Sequence, residues 1–259
     1  MRRPCCPTME DLRGWCRPWM TPPGLRGAWI GVGLSLALGM AVWAGRWGMA
    51  ALHSYPARWV LEGWEQVEQP LSTAPVASTP ATEERWRAAV AGLARAQSLE
   101  PDNADTFSLL GRLHHHHALR HSPWSPQAKG DWRQAILAYQ RALQLRPTWG
   151  ALWILLAQAR LQSGEAPAQV MADWGRALRF APRSRDVQLP AIRIGFALWS
   201  LLDGPQRALM DNLLEQTFAQ EGEIILQQAA KYQLLKQLQP LLAKYPQWHK
   251  RYQQLSPSR

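Results

Sequence analysis

The most apolar stretch of the chain has no polar face. It is a run of 19 uncharged residues, Gly27 to Gly45, reading GAWIGVGLSLALGMAVWAG between Arg26 and Arg46. At about 1.5 Å per residue a helix of this length spans roughly 28 Å, close to the hydrocarbon thickness of a bilayer. Ser35 is the one polar side chain inside it, and a helix can bond that hydroxyl to its own backbone. Trp29 near one end, and Trp43 and Trp47 near the other, suit interfacial anchors. Beyond the run the pattern turns amphipathic. Residues 46–66 predict a juxtamembrane helix with Trp47, Leu52, Trp59, Leu61 and Trp64 as its apolar members. Pro70–Thr82, PLSTAPVASTPAT, reads as a linker, and Glu83 and Glu84 suit the start of the next helix. From there to the end the apolar spacing is helical, with no alternating run of Val, Ile and Thr. The expected fold class is all-α, preceded by one N-terminal transmembrane helix.

Charge sets the expected orientation of that helix. Residues 1–27 carry Arg2, Arg3, Arg13, Arg17 and Arg26 against Glu10 and Asp11, a flank that favours the cytoplasmic side. Cys5, Cys6 and Cys16 all precede the apolar run and none follows it, as suits a reducing inner side and an oxidising outer one. The alternative is a cleaved signal peptide, for which Val42-Trp43-Ala44 is a passable cleavage site. The anchor reading divides the chain into a cytoplasmic arm (1–27), a transmembrane helix (28–45), a juxtamembrane helix and linker (46–82), a repeat region (83–182) and a C-terminal helical region (183–259). It places the protein in a bacterial inner membrane, single-pass, with the main domain periplasmic.

The repeat region is marked by recurring offsets. Ala89, Leu93, Ala96 and Pro101 stand at 0, 4, 7 and 12. Ala135, Tyr139, Ala142 and Pro147 keep that spacing, as do Val170, Trp174, Ala177 and Pro182. The helices after the first two prolines match at 0, 3, 4 and 7, through Phe107, Leu110, Gly111 and His114, then Trp153, Leu156, Ala157 and Arg160. These offsets resemble the tetratricopeptide repeat, a helix-turn-helix unit of about 34 residues that stacks into a solenoid. Small residues at Gly111 and Ala157 would let paired helices approach closely, and the prolines would end each second helix. About 12 extra residues between His114 and Ala135 leave the first hairpin with either a long loop or a lengthened first helix. After Pro182 the pattern fades into helices over 185–202, 205–219 and 222–243, expected to pack on the last repeat, with Pro240–Leu255 as a frayed cap.

The chain's chemistry is sparse. Formal charge is +10, and residues 28–259 hold 24 Lys and Arg against 17 Asp and Glu. The arginines are spread rather than clustered, so no nucleic-acid partner is expected, and contact with anionic headgroups or an anionic polysaccharide is the better use of the charge. No phosphate loop, nucleophile elbow, His-Glu-x-x-His or paired-cysteine motif occurs, so neither an enzyme nor a cofactor is expected. The run His114-His115-His116-His117, followed by His121, is the exception to this plainness. His114, His117 and His121 share one helical face and are the candidate ligands should a metal bind. No metal is expected, because no Asp, Glu or Cys lies close by in sequence. Trp153 and Trp174 fall at repeat core positions, whereas Trp124, Trp132, Trp149 and Trp248 suit either a protein interface or a sugar face.

Three passages carry a closer resemblance: LEPDNADTFSLLGRL (99–113), RALQLRPTWGALWILLAQ (141–158) and DWGRALRFAPRSRDVQLPAIRIGFALWSLL (173–202). Together they resemble the VpsP-type polysaccharide biosynthesis proteins, which pair an N-terminal membrane helix with a repeat-bearing outer domain. The resemblance implies a membrane-anchored scaffold of an exopolysaccharide synthesis and export machine, acting through protein partners. First-helix positions Asp105, Ser108, Arg112, His115 and Gln158 would line the partner-binding groove. Other readings are a periplasmic chaperone-like assembly factor, a metal- or haem-handling module built on the histidines, and a direct glycan binder or enzyme.

Overall fold

The computed structural model describes residues 23–67 and 80–256. The cysteines, the arm's charges other than Arg26 and most of the linker lie outside the described residues. Those described are helical throughout, with no strand among them. They form ten α-helices: α1 (Pro23–Val67), α2 (Pro80–Leu99), α3 (Ala104–Leu119), α4 (Pro126–Leu145), α5 (Gly150–Ser163), α6 (Pro167–Phe180), α7 (Arg185–Ala197), α8 (Gly204–Lys231), α9 (Gln239–Lys244) and α10 (His249–Leu255).

Two compact units divide between Met49 and Ala50. In the first, α1 carries the apolar run; the candidate span Ala28–Trp64, which continues past Met49, contains an 18-residue window of mean hydropathy 1.6 and is long and apolar enough to cross a membrane. The large side chains of the apolar run, Leu34, Leu36 and Leu38 among them, are exposed, as lipid-facing residues would be. The Ser35 hydroxyl donates to Gly31 O at 3.0 Å, so its polarity is met inside the helix. Trp43 and Trp47 rings meet at 5.0 Å.

The second unit is built of neighbouring helices that pair in order. α3 packs chiefly on α4, α5 on α6 and α7 on α8, while α2–α3, α4–α5 and α5–α7 contacts join the pairs. The small residues do what their spacing implied. A Cβ on Gly111 of α3 would strike the Tyr139 ring of α4, and one on Gly150 would come within 2.5 Å of Ala181 Cβ. Ala135, Ala142 and Ala177 are fully buried.

The stretch of α1 after Ala50 supplies the first core. Ala57, Val60, Leu61 and Trp64 pack with Leu93 of α2 and Leu113 of α3. A Cβ on Gly92 would lie 2.5 Å from His53 O. Of the apolar members expected here, Leu61 and Trp64 are buried, whereas Trp47, Leu52 and Trp59 are exposed. The buried stripe runs instead through Ala50, Ser54 and Ala57, small residues at three- and four-residue spacing that let α1 sit close to α2.

Three further expectations change. The extra residues of the first hairpin lengthen both helices: α3 has 16 residues and α4 has 20, against 14 each in α5 and α6. The start of α4 is fixed by Pro126 and by the Ser125 hydroxyl, which accepts from Ala128 N. The segments 205–219 and 222–243 meet at a kink inside α8, where Glu221 is non-helical, but the second ends at Lys231 and not at 243. The segment expected to fray is folded, with α10 packed on α8 and the Trp248 ring lying against Gly222. Trp174 is in the core, donating its indole N–H to Ala191 O at 2.9 Å. Trp153 is half-buried, donating to Pro147 O at 2.7 Å.

Candidate functional site

Two arrangements in the second unit hold the residues with chemistry. The first is a surface cavity of about 390 Å³ where α3 faces the second stretch of α1. Asp105, Ser108 and Arg112, one turn apart along α3, line it with Arg58, Glu62 and Trp149. Asp105 sits in the first turn of α3, just after Asn103, whose side-chain oxygen accepts from Asp105 N and Thr106 N. Arg146 Nη1 donates to Asp105 Oδ1 at 2.9 Å, with both side chains more than half exposed, and the Arg146 guanidinium lies 4.3 Å from the Trp149 ring centroid. Arg58 and Glu62 put both signs of charge on the cavity wall beside Arg112.

Two of the five expected groove residues lie elsewhere. Gln158 is half-buried on α5 and does not line this cavity. His115 is buried, its ring edge-on to Trp132 at 4.8 Å and its Nδ1 3.3 Å from the Tyr139 hydroxyl. Burial pushes His115 down to about 3, and the neighbouring positive charges of His116 and Arg112 add to the shift. It is therefore neutral at physiological pH.

The second arrangement is the histidine cluster, and here the structure supplies what the local sequence lacked. Asp131, in the lengthened first half of α4, is buried and accepts two imidazoles. His114 Nδ1 lies 2.7 Å from Oδ1 and His117 Nδ1 lies 2.6 Å from Oδ2. Glu83, in the first turn of α2, reaches the other side of His117, with Oε1 at 2.9 Å from Nε2. His121, one turn past His117, puts its Nε2 3.4 Å from His117 Nε2. Trp86, three residues after Glu83 on the same face of α2, stacks on His117 with centroids 3.9 Å apart and planes 6° from parallel.

Electrostatics follows from this packing. Burial alone would lower His117, but the hydrogen bonds and charges of Asp131 and Glu83 raise it. Burial alone would raise Asp131, but its bonds to His114 and His117 hold it below the usual carboxylate range. An equivalent pairing recurs one hairpin later. Arg160, at the α5 position matching His114, donates to the buried carboxylate of Asp173 on α6 at 2.8 Å. At that repeat position a polar side chain on the first helix meets a buried acid on the second.

Of the three candidate ligands, His117 and His121 come together, while His114 is turned onto Asp131. Glu83 and Asp131 were outside the sequence reading, since they lie 34 and 14 residues from His117. The available signal was the added length at the start of α4, which carries Asp131.

Comparison with known proteins finds no family model that matches the chain, and no curated protein matches it.

Proposed function

We propose that the protein is a membrane-anchored scaffold that works by binding a protein partner, with α1 as its anchor and α2–α8 as a tetratricopeptide-like solenoid. In this reading the N-terminus is cytoplasmic, the second unit lies in the periplasm, and the protein serves exopolysaccharide synthesis or export, as the VpsP-type resemblance implies.

The observation that carries the reading is the cavity of Asp105, Ser108 and Arg112 on the first helix of a hairpin. Stacked hairpins align their first helices into one lining surface, so a ligand segment meets side chains one turn apart along each helix. The Arg58 charge favours a partner segment that offers a carboxylate, and Leu61, Leu109 and Trp149 favour an apolar neighbour beside it. The hairpin packing through Gly111 against Tyr139 supports the solenoid, and the apolar stretch of α1 supports the anchor.

The test is mild in-cell crosslinking of the full-length protein in its native host, then purification and mass spectrometry. Recovery of a glycosyltransferase, polymerase or outer-membrane exporter is the expected result. A broad spread of newly secreted proteins would instead mark a chaperone-like assembly factor.

A further inference from the structure

Glu83, His117 and His121 turn three donor atoms toward one point. His117 Nε2 faces Glu83 Oε1 at 2.9 Å and His121 Nε2 at 3.4 Å, and the three donors all lie within 4.8 Å of one another. Two ligands held about 2.0–2.1 Å from a tetrahedral zinc stand about 3.3–3.4 Å apart. The His117–His121 separation already has that value. The Glu83–His117 pair must open by about 0.4 Å, which a carboxylate side chain 22% exposed can do by rotation.

The surroundings orient the central ligand as a metal site requires. A metal-bound imidazole characteristically gives its other ring nitrogen to a carboxylate, which fixes the ring and strengthens it as a donor. His117 has that arrangement: Nδ1 is held by Asp131 Oδ2 at 2.6 Å, leaving Nε2 for the cluster. Trp86 covers one face of the ring, and the second oxygen of the positioning group, Asp131 Oδ1, is anchored in turn by His114 at 2.7 Å. The ring thus has its plane, its tautomer partner and its depth set by three residues from α2, α3 and α4.

From these positions we infer that Glu83, His117 and His121 form a binding site for a divalent transition-metal ion, zinc foremost. Two imidazoles and one carboxylate suit zinc in donor type, and three protein ligands leave a fourth position for water. Glu83 and His121 are both partly exposed, so that position opens to solvent. Bound metal would clip the first turn of α2 to the end of α3, joining segments 34 residues apart in sequence. The site is separate from the Asp105–Arg112 cavity and stands independently of the scaffold reading.

The test uses the full chain in mild detergent, stripped with chelator and titrated with Co²⁺ and then Zn²⁺ alone. One equivalent of Co²⁺ giving the visible bands of tetrahedral coordination, displaced by one equivalent of Zn²⁺, is the expected result. His121→Ala and Glu83→Gln, both at partly exposed positions, should each weaken Zn²⁺ binding by at least about 100-fold, beyond the 10–100-fold typical of an outer-shell partner. His116→Ala should leave affinity unchanged, which separates this site from loose binding along the histidine run. Circular dichroism checks that each variant is folded. Absence of tetrahedral Co²⁺ bands in the unsubstituted chain would overturn the site whatever the variants do. So would Zn²⁺ affinity that is indifferent to both His121→Ala and Glu83→Gln.

Discussion

His117 Nδ1 and Asp131 Oδ2 meet at 2.6 Å between α3 and α4, with both side chains less than a tenth exposed. The pair, with His114 on the other carboxylate oxygen, gives the α3–α4 hairpin a polar lock as well as an apolar core. Removing one member of a buried charged pair leaves the others unmatched, which costs about 3–5 kcal/mol. Asp131→Ala should therefore strongly lower the thermal unfolding temperature of the metal-free chain. Asp105→Ala breaks only the exposed pair with Arg146 and should cost less than about 1 kcal/mol. Melting both by circular dichroism checks the contrast, and equal losses would show that Asp131 carries no special burden.

Gly111 tests the helix pairing. Any Cβ there meets the Tyr139 ring, which is fully buried and has no room to retreat. Gly111→Ala should destabilise the chain by about 1–3 kcal/mol through overpacking, although alanine is the better helix former. Gly130→Ala, where a Cβ meets nothing within 4 Å, should be neutral or slightly stabilising. Unfolding midpoints of the two variants decide the matter; a neutral Gly111→Ala would contradict the close approach.

Acid sensitivity should follow from His115. Its folded-state pKa, about 3, lies below the 6.5 of the unfolded chain. The stability from burying it neutral is complete above about pH 6.5 and is lost as the pH falls from there toward 3. Each pH unit inside that window removes up to about 1.4 kcal/mol. His115→Phe takes away the proton uptake, so its stability should fall less steeply between pH 7 and pH 4.5 than that of the unsubstituted chain. Melting temperatures in chelator at the two pH values give the comparison. Parallel slopes would mean that His115 is solvated in the folded protein.

Topology has its own check. In the proposed topology Cys5, Cys6 and Cys16 lie inside the cell, and Ser98, at the exposed end of α2, lies outside. A membrane-impermeant maleimide applied to spheroplasts should label Ser98→Cys and leave the native cysteines unlabelled until the membrane is opened. Labelling of the native cysteines in sealed spheroplasts would reverse the orientation.

The sequence made the helical character and the close-packing residues plain, because these leave local marks. Gly111, Ala135 and Ala142 stand at fixed offsets, and an overlarge side chain at any of them would be felt at once. The second stretch of α1 was harder to read. Its buried stripe, Ala50, Ser54 and Ala57, is made of small residues, while the conspicuous Trp59 and Leu52 point outward. The histidine cluster was half legible. His117 and His121 share a face by spacing alone, but Glu83 and Asp131 reach them only through packing of α2 and α4 on α3. Glu83 read as a helix-start residue, and Asp131 carries no local mark of its role. His115 shows the limit in the other direction: a position on the first helix of a hairpin suggested a groove, and the packing of α4 on α3 put Trp132 and Tyr139 over it.

The most direct test of the scaffold reading compares crosslinked partners of the unsubstituted protein and of Arg112→Glu, both expressed at native level in the native host. The charge reversal sits in the cavity wall and leaves the hairpin cores untouched. The expected result is capture of a synthesis or export component by the unsubstituted protein and its loss, by about 10-fold or more, from the folded variant; 10-fold corresponds to roughly 1.4 kcal/mol. An identical partner set at equal yield from both proteins would contradict the cavity as the docking surface, and with it the central claim.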